Sequence, residues 1–279
     1  MMNTLKKNFD QLREIGWGPV LDALERVLTR MGIDFYLIGA VARDVWVDHL
    51  SYRDKRTTKD LDISVYVRDL DQYKGVQQAL TDIEGFSRDA RAPYRLYSPE
   101  GQMLDLIPFG DIERDGTVWL DDPPMELSVY GTKEVTSGAV AADGVFKVIT
   151  LPGLCVLKLI AWNTKPEWRA KDLEDVYFIF RHYFEISGEA LYDQPYDDLL
   201  TEDFEPNIAA ARMLGRQIAE LLHESGEIYF KVKDILAGLS GRFTEKEVEE
   251  LYISDNSDLL IARCRLSLEV RRGMEDKAQ

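Results

Sequence analysis

The chain has 279 residues, 45% of them apolar and 30% charged, with a formal net charge of −16. That length suits two domains better than one, and the apolar share is ample for a packed core, which excludes a chain disordered throughout. The acidic balance excludes a general nucleic-acid coat, whose affinity comes from neutralising phosphates with Lys and Arg. Cys155 and Cys264 are too few for a disulfide scaffold and lie among apolar residues, so they read as small hydrophobes in a reducing compartment. The N-terminus lacks an apolar core of signal-peptide type, and no stretch approaches the roughly 18 uncharged apolar residues of a membrane span. The expectation is a soluble, cytoplasmic protein with no membrane partner.

From the N-terminus, Leu21, Leu24, Val27, Leu28 and Met31 recur at spacings of three and four, which predicts an amphipathic helix over 20–30. Residues 34–39 then form an apolar strand ending in glycine, and 40–50 resume a helical pattern with Val41, Val45, Trp46 and Leu50 inward. After a polar loop, 61–67 alternate as a strand with one polar and one apolar face. A helix over 72–83, paired strands at 94–97 and 103–109 around the Pro99-Glu100-Gly101 turn, and a strand over 144–150 complete the first half. Beyond Pro152 the periodicity is helical, at 154–163, 168–183, 207–223, 245–252 and 259–271. The expected fold is α+β: residues 1–150 form a mixed β-sheet flanked by helices, and residues 151–279 form an all-helical domain. Basic residues gather at Arg53, Lys55, Arg56 and Lys59, and again at Arg88, Arg91 and Arg95. The segment 188–206 is acidic without a basic residue, the composition of a solvated linker or of an acidic docking surface.

Asp60 and Asp62 are separated by one residue on a predicted strand, so both leave the same face roughly 6–7 Å apart at the backbone. Like charges held so close gain nothing unless a cation lies between them, and an oxygen-rich site suits magnesium. A solvent-facing strand start is the plainer explanation. Asp105 stands inside an apolar run, where an ionised side chain is costly unless it binds metal or pairs with an arginine such as Arg95. Three carboxylates on neighbouring strands would hold two cations roughly 3.5–4 Å apart, the arrangement used for in-line phosphoryl displacement. Gly39 and Ala40, between strand and helix, would offer backbone N–H groups to a triphosphate, with Arg43 and Asp44 close by on the same helix.

Gly39-Ala40-x-x-Arg43-Asp44 followed by Asp60-Leu61-Asp62 resembles the polymerase-β-like nucleotidyltransferase superfamily. In that pattern a glycine pair opens a helix, Asp-x-Asp follows on the next strand, and a third carboxylate comes later. Ala40 departs from the family's second glycine or serine, which removes a hydroxyl but keeps the backbone N–H. Leu157-Lys158-Leu159 followed by Arg169-x-Lys171-Asp172-x-x-Asp175 resembles the helical motifs of the AbiEii-type branch of toxin and phage-defence proteins, with Lys171 where arginine is usual.

The resemblance spans about Phe35 to Phe180 and implies a nucleotidyltransferase fold whose helical domain completes the nucleotide and acceptor site. It implies an enzyme that moves an NMP from an NTP such as ATP to an acceptor hydroxyl, a tRNA 3′ end being favoured. Asp60, Asp62 and Asp105 would bind two Mg2+ ions, with Mn2+ as an alternative, and would be catalytic together with Lys158 and Asp172. Gly39, Ala40, Arg43 and Lys158 would bind the nucleotide, and an antitoxin would be a partner. Lys158 lies in an otherwise apolar helix, where burial calls for a partner that a triphosphate would supply, unless the side chain snorkels to solvent. Asp172 and Asp175 would equally suit a solvated face. The rival readings are an aminoglycoside-type antibiotic nucleotidyltransferase, whose polycationic substrate suits an acidic cleft, and a non-catalytic nucleotide-binding module.

Overall fold

Apolar Leu61, Ile63 and Val65 alternate with polar Asp60, Asp62 and Ser64, and this segment, β2 (Asp60–Tyr66), is the central strand of a seven-stranded sheet among the described residues. The computed structural model describes residues 2–47, 59–241 and 258–276, in two units, Met1–Thr150 and Leu151–Gln279. The expected basic residues Arg53, Lys55 and Arg56, the end of the helix predicted over 40–50, and the helix predicted over 245–252 lie outside the described residues.

In the first unit, α1 (Met2–Leu12) runs through a π turn, where Gly16 has φ 118°, into α2 (Gly18–Met31). Gly32 ends α2 in the left-handed region, and β1 (Phe35–Ile38) leads directly into α3 (Gly39–Val47). α4 (Leu70–Glu84) is capped by the Asp69 side chain, which accepts from Gln72 N–H. β3 (Ser87–Arg88), β4 (Arg95–Tyr97) and β5 (Met103–Phe109) follow, then a separate hairpin of β6 (Thr117–Asp121) and β7 (Pro124–Ser128), a short α5 (Thr132–Thr136), and β8 (Val140–Ala141) and β9 (Lys147–Val148). The sheet order is β3-β4-β5-β2-β1-β9-β8, with β2 parallel to β5 and antiparallel to β1. Leu61, Ile63, Val65, Leu104 and Leu106 are wholly buried, and on the opposite face of β2 Asp60 and Asp62 are half-buried while Ser64 is buried. The strand expected over 144–150 shrinks to two residues, Lys147–Val148, and Gly144 at φ 93° lies outside it.

The second unit contains α6 (Leu151–Thr164), α7 (Ala170–Ser187), α8 (Pro206–Leu221), α9 (Gly226–Ser240) and α10 (Asp258–Glu275). α6 begins before Pro152 because proline fits a first helical turn, where its missing N–H has no partner to lose. α8 and α10 approach closely at paired glycines: a Cβ on Gly215 would overlap the Val270 carbonyl, and one on Gly273 would overlap that of Arg212. Val176, Phe180, Leu214, Ile218, Val232, Leu236 and Val270 fill the core between these helices. Cys155 and Cys264 are both free and buried, and burial pushes the Cys155 thiol above its ordinary range. No helix among the described residues is long and apolar enough to cross a membrane.

Candidate active and metal site

Strand pairing alone brings the three carboxylates together. Asp62 and Asp105 occupy matched positions on the parallel strands β2 and β5, and Asp60 lies two residues earlier on the same face of β2. One carboxylate oxygen from each of Asp60, Asp62 and Asp105 lies within 4.8 Å of the others. Asp105 is buried, whereas Asp60 and Asp62 are half-buried at the open edge of the group.

On the other side of β2, Ile38 pairs with Asp62, which places the next residue, Gly39, against the aspartate side chain. Gly39 has φ 70°, and a Cβ there would overlap Asp62 Oδ2. Glycine is therefore required twice, for the left-handed turn and for the close approach. The turn opens α3, whose first N–H groups are unpaired within the helix and carry its positive dipole end. α3 is pinned from behind, since Asn8 Nδ2–H donates to the Val45 carbonyl and Trp46 Nε1–H to the Ile149 carbonyl, both at 2.8 Å. Arg43 is buried, and its Nε and Nη2 donate to Asp44 Oδ1 at 2.9 and 2.6 Å. The three-carboxylate donor set, with the Gly39 backbone packed against Asp62, fits a hard divalent cation.

Asp105 also has a protein partner. Arg95 faces it across the antiparallel β4/β5 pair, donating from Nε to Oδ1 and from Nη2 to Oδ2, each at 2.7 Å. That carboxylate holds the Arg95 guanidinium well above its ordinary pKa. Metal ligation and arginine pairing stand as alternatives for Asp105 in the sequence; the structure shows the arginine pair and, with it, an Asp105 oxygen within 4.8 Å of those of Asp60 and Asp62. Of the basic cluster that contains Arg95, Arg88 and Arg91 are exposed, and Arg88 reaches Gln78 at 3.5 Å.

In the helical unit, Lys158 is buried on α6, and its Nζ donates to Asp175 Oδ2 at 2.8 Å and to Asp172 Oδ1 at 3.1 Å, both on α7. Burial pushes the ammonium pKa down, but Asp175 and Asp172 together more than offset it, leaving it above 10.5. A triphosphate is the partner expected from the sequence for a buried Lys158, whereas here two aspartates already serve. Asp175, the nearer of them, sits one helical turn beyond Asp172, so the Asp-x-x-Asp spacing is the signal that points to it.

The family model for the nucleotidyl transferase AbiEii toxin of type IV toxin–antitoxin systems matches residues 22–212. Two solved structures are similar. The antibiotic-resistance factor ANT(2'')-Ia is 13% identical, with 74% of this chain and 88% of that one covered and a TM-score of 0.36. An antigenic nucleotidyltransferase-like protein from Paracoccidioides brasiliensis is 15% identical, with coverages of 81% and 90% and a TM-score of 0.34. No curated protein matches the chain.

Proposed function

The chain belongs to the AbiEii nucleotidyltransferase toxin family, and from that premise we propose that it transfers an NMP to the 3′ hydroxyl of an RNA, a tRNA end first, using magnesium. NTP-dependent nucleotidyl transfer is the family's chemistry. The observation that carries the reading is the convergence of Asp60, Asp62 and Asp105 beside the Gly39 turn.

In this reading Asp60 and Asp62 would ligate both cations, and Asp105 would ligate the catalytic one and help deprotonate the acceptor hydroxyl. Bound there, the cations would neutralise phosphate charge and stabilise the entering and leaving oxygens. The N–H groups at Gly39 and Ala40 would receive phosphate oxygens, and Arg43, paired with Asp44, would be the weaker candidate for positive charge behind them. Lys158 in nucleotide handling and Asp172 in catalysis follow from the family resemblance. As a type IV toxin the protein would meet an antitoxin.

An RNA acceptor is favoured by the turn between α6 and α7. Trp168 is 80% exposed there, among exposed Lys165, Arg169 and Lys171. The turn is ordered by Trp168 and Arg169 N–H groups that both donate to the Lys165 carbonyl at 3.0 Å. An aromatic platform among cations suits an unpaired nucleotide end, through stacking and phosphate contact.

The test is incubation of the purified chain with each α-labelled NTP, Mg2+ and total small RNA. Label is expected in RNA, with pyrophosphate released, and Asp62→Asn should lower the rate on the order of a thousandfold. Label in a small-molecule acceptor would replace RNA with an antibiotic-type substrate. Nucleotide bound without any pyrophosphate release would leave a binding module.

A further inference from the structure

Both oxygens of Asp105 are engaged by the Arg95 fork, at 2.7 Å each. An ionised carboxylate has about four lone-pair sites, so the fork uses one on each oxygen and leaves one on each for a further ligand. The strand that carries Arg95 is itself secured. Asp89 accepts from the Arg91 and Ala92 N–H groups at 2.8 and 2.9 Å and from the Tyr97 hydroxyl at 2.9 Å. Gln77 Nε2–H donates to the Pro93 carbonyl at 2.6 Å, two residues before the arginine. Arg95 is thus a fixed cation within one carboxylate's width of the candidate metal position. Together with the three aspartates it leaves these four groups two negative charges, which one divalent cation balances.

We propose that Arg95 is the positioning residue of the metal centre: its fork holds Asp105 in ligating orientation, and its charge limits the nucleotide-free centre to one divalent cation. A second cation would make the half-buried group net positive, which is unfavourable until triphosphate oxygens supply compensating charge. The proposal rests on the metal-dependent reading above.

Two substitutions separate orientation from charge. Arg95→Lys keeps the positive charge but lacks the planar fork that binds both oxygens. Arg95→Gln removes the charge. Repulsion of a dication by a fixed neighbouring charge outweighs the rotational freedom that Asp105 regains, so the charge effect decides metal affinity.

The experiment is a Mn2+ titration of the full chain, followed by electron paramagnetic resonance, with thermal melts as the folding control and steady-state pyrophosphate release alongside. Wild type is expected to bind one Mn2+ without nucleotide. Arg95→Gln should bind it about tenfold more tightly, and Arg95→Lys within about twofold of wild type, since the charge is kept. Both should lose kcat, by about tenfold to a hundredfold, with the KM for NTP little changed. Arg95→Gln binding Mn2+ no more tightly than wild type, or Arg95→Lys turning over at the wild-type rate, overturns the proposal while leaving the metal reading intact. Wild type that binds no Mn2+ overturns both. If Arg95→Gln does not fold, Arg95→Lys decides alone, through kcat against metal affinity.

Discussion

At the scale of single residues, Gly39 is the most constrained position near the carboxylates. Gly39→Ala adds left-handed strain of about 1–2 kcal/mol and drives a methyl group into Asp62 Oδ2. Urea unfolding should show at least that loss, and Mg2+ binding should weaken because the atoms in the way of the new methyl belong to Asp62. Lys158 makes a different prediction. Lys158→Ala leaves Asp172 and Asp175 facing one another without their shared cation, which should cost about 3–5 kcal/mol. Because the folded-state pKa of Lys158 is raised, its contribution is complete below 10.5 and is lost only as pH rises through the higher folded value. Melts of wild type and Lys158→Ala should therefore differ by a constant amount from pH 6 to 9. Asp60 and Asp62 are legible in the sequence because alternation on one strand fixes their shared face. The Arg95 contact to Asp105 depends on β4/β5 register, which sequence offers only as one pairing among several.

At the scale of elements, the α8–α10 crossing carries the clearest consequence. Gly215 and Gly273 let two helices meet backbone to backbone, so Gly215→Ala or Gly273→Ala must push α10 away from α8. Overpacking of this kind typically costs about 1–3 kcal/mol, and the melting temperature of either variant should fall accordingly. Glycine within a helix reads as a weakness by propensity, and only the crossing shows its purpose. α9 escapes the sequence reading for a related reason. Ile228, Phe230 and Val232 alternate with polar or aromatic neighbours in a strand-like way, yet the segment is helical because Ile228, Val232, Ile235 and Leu236 bury one helical face. The β6–β7 hairpin escapes it too, since Val118 and Leu120 are buried but the exposed Trp119 between them hides their alternation in the sequence.

At the scale of the whole molecule, a carboxylate–arginine network in the helical unit should contribute to acid sensitivity. Asp276 accepts from Arg212 Nη2 at 2.7 Å and Arg216 Nε at 2.6 Å, while Asp198 accepts from Arg216 Nη1 at 2.6 Å. Burial alone would raise the Asp276 pKa, but the two arginines pull it below 3.8, and Arg216 does the same for Asp198. Carboxylates lowered in this way stabilise the fold fully above 3.8, and the contribution is lost as pH falls through the lowered folded values. Asp276→Asn should flatten stability against pH below about 4, read by circular dichroism melts. Metal acts in the opposite sense, since a ligand that binds only the folded chain raises its melting temperature by linkage. Millimolar Mg2+ should raise the melting temperature of wild type, and of Asp62→Asn hardly at all.

The sequence by itself determined the α+β class, the strand–glycine–helix entry to the carboxylates and the shared face of Asp60 and Asp62. These are local properties, set by the periods of strand and helix and by the conformational freedom of one glycine. The tertiary structure alone decided that Asp105 joins Asp62 in register while held by Arg95, that Lys158 is neutralised by Asp175 and Asp172, and that two glycines let α8 and α10 touch. Each of these depends on strand order, helix packing or register between segments distant in the chain, where the energy lies in which surfaces meet and not in the preference of any one segment.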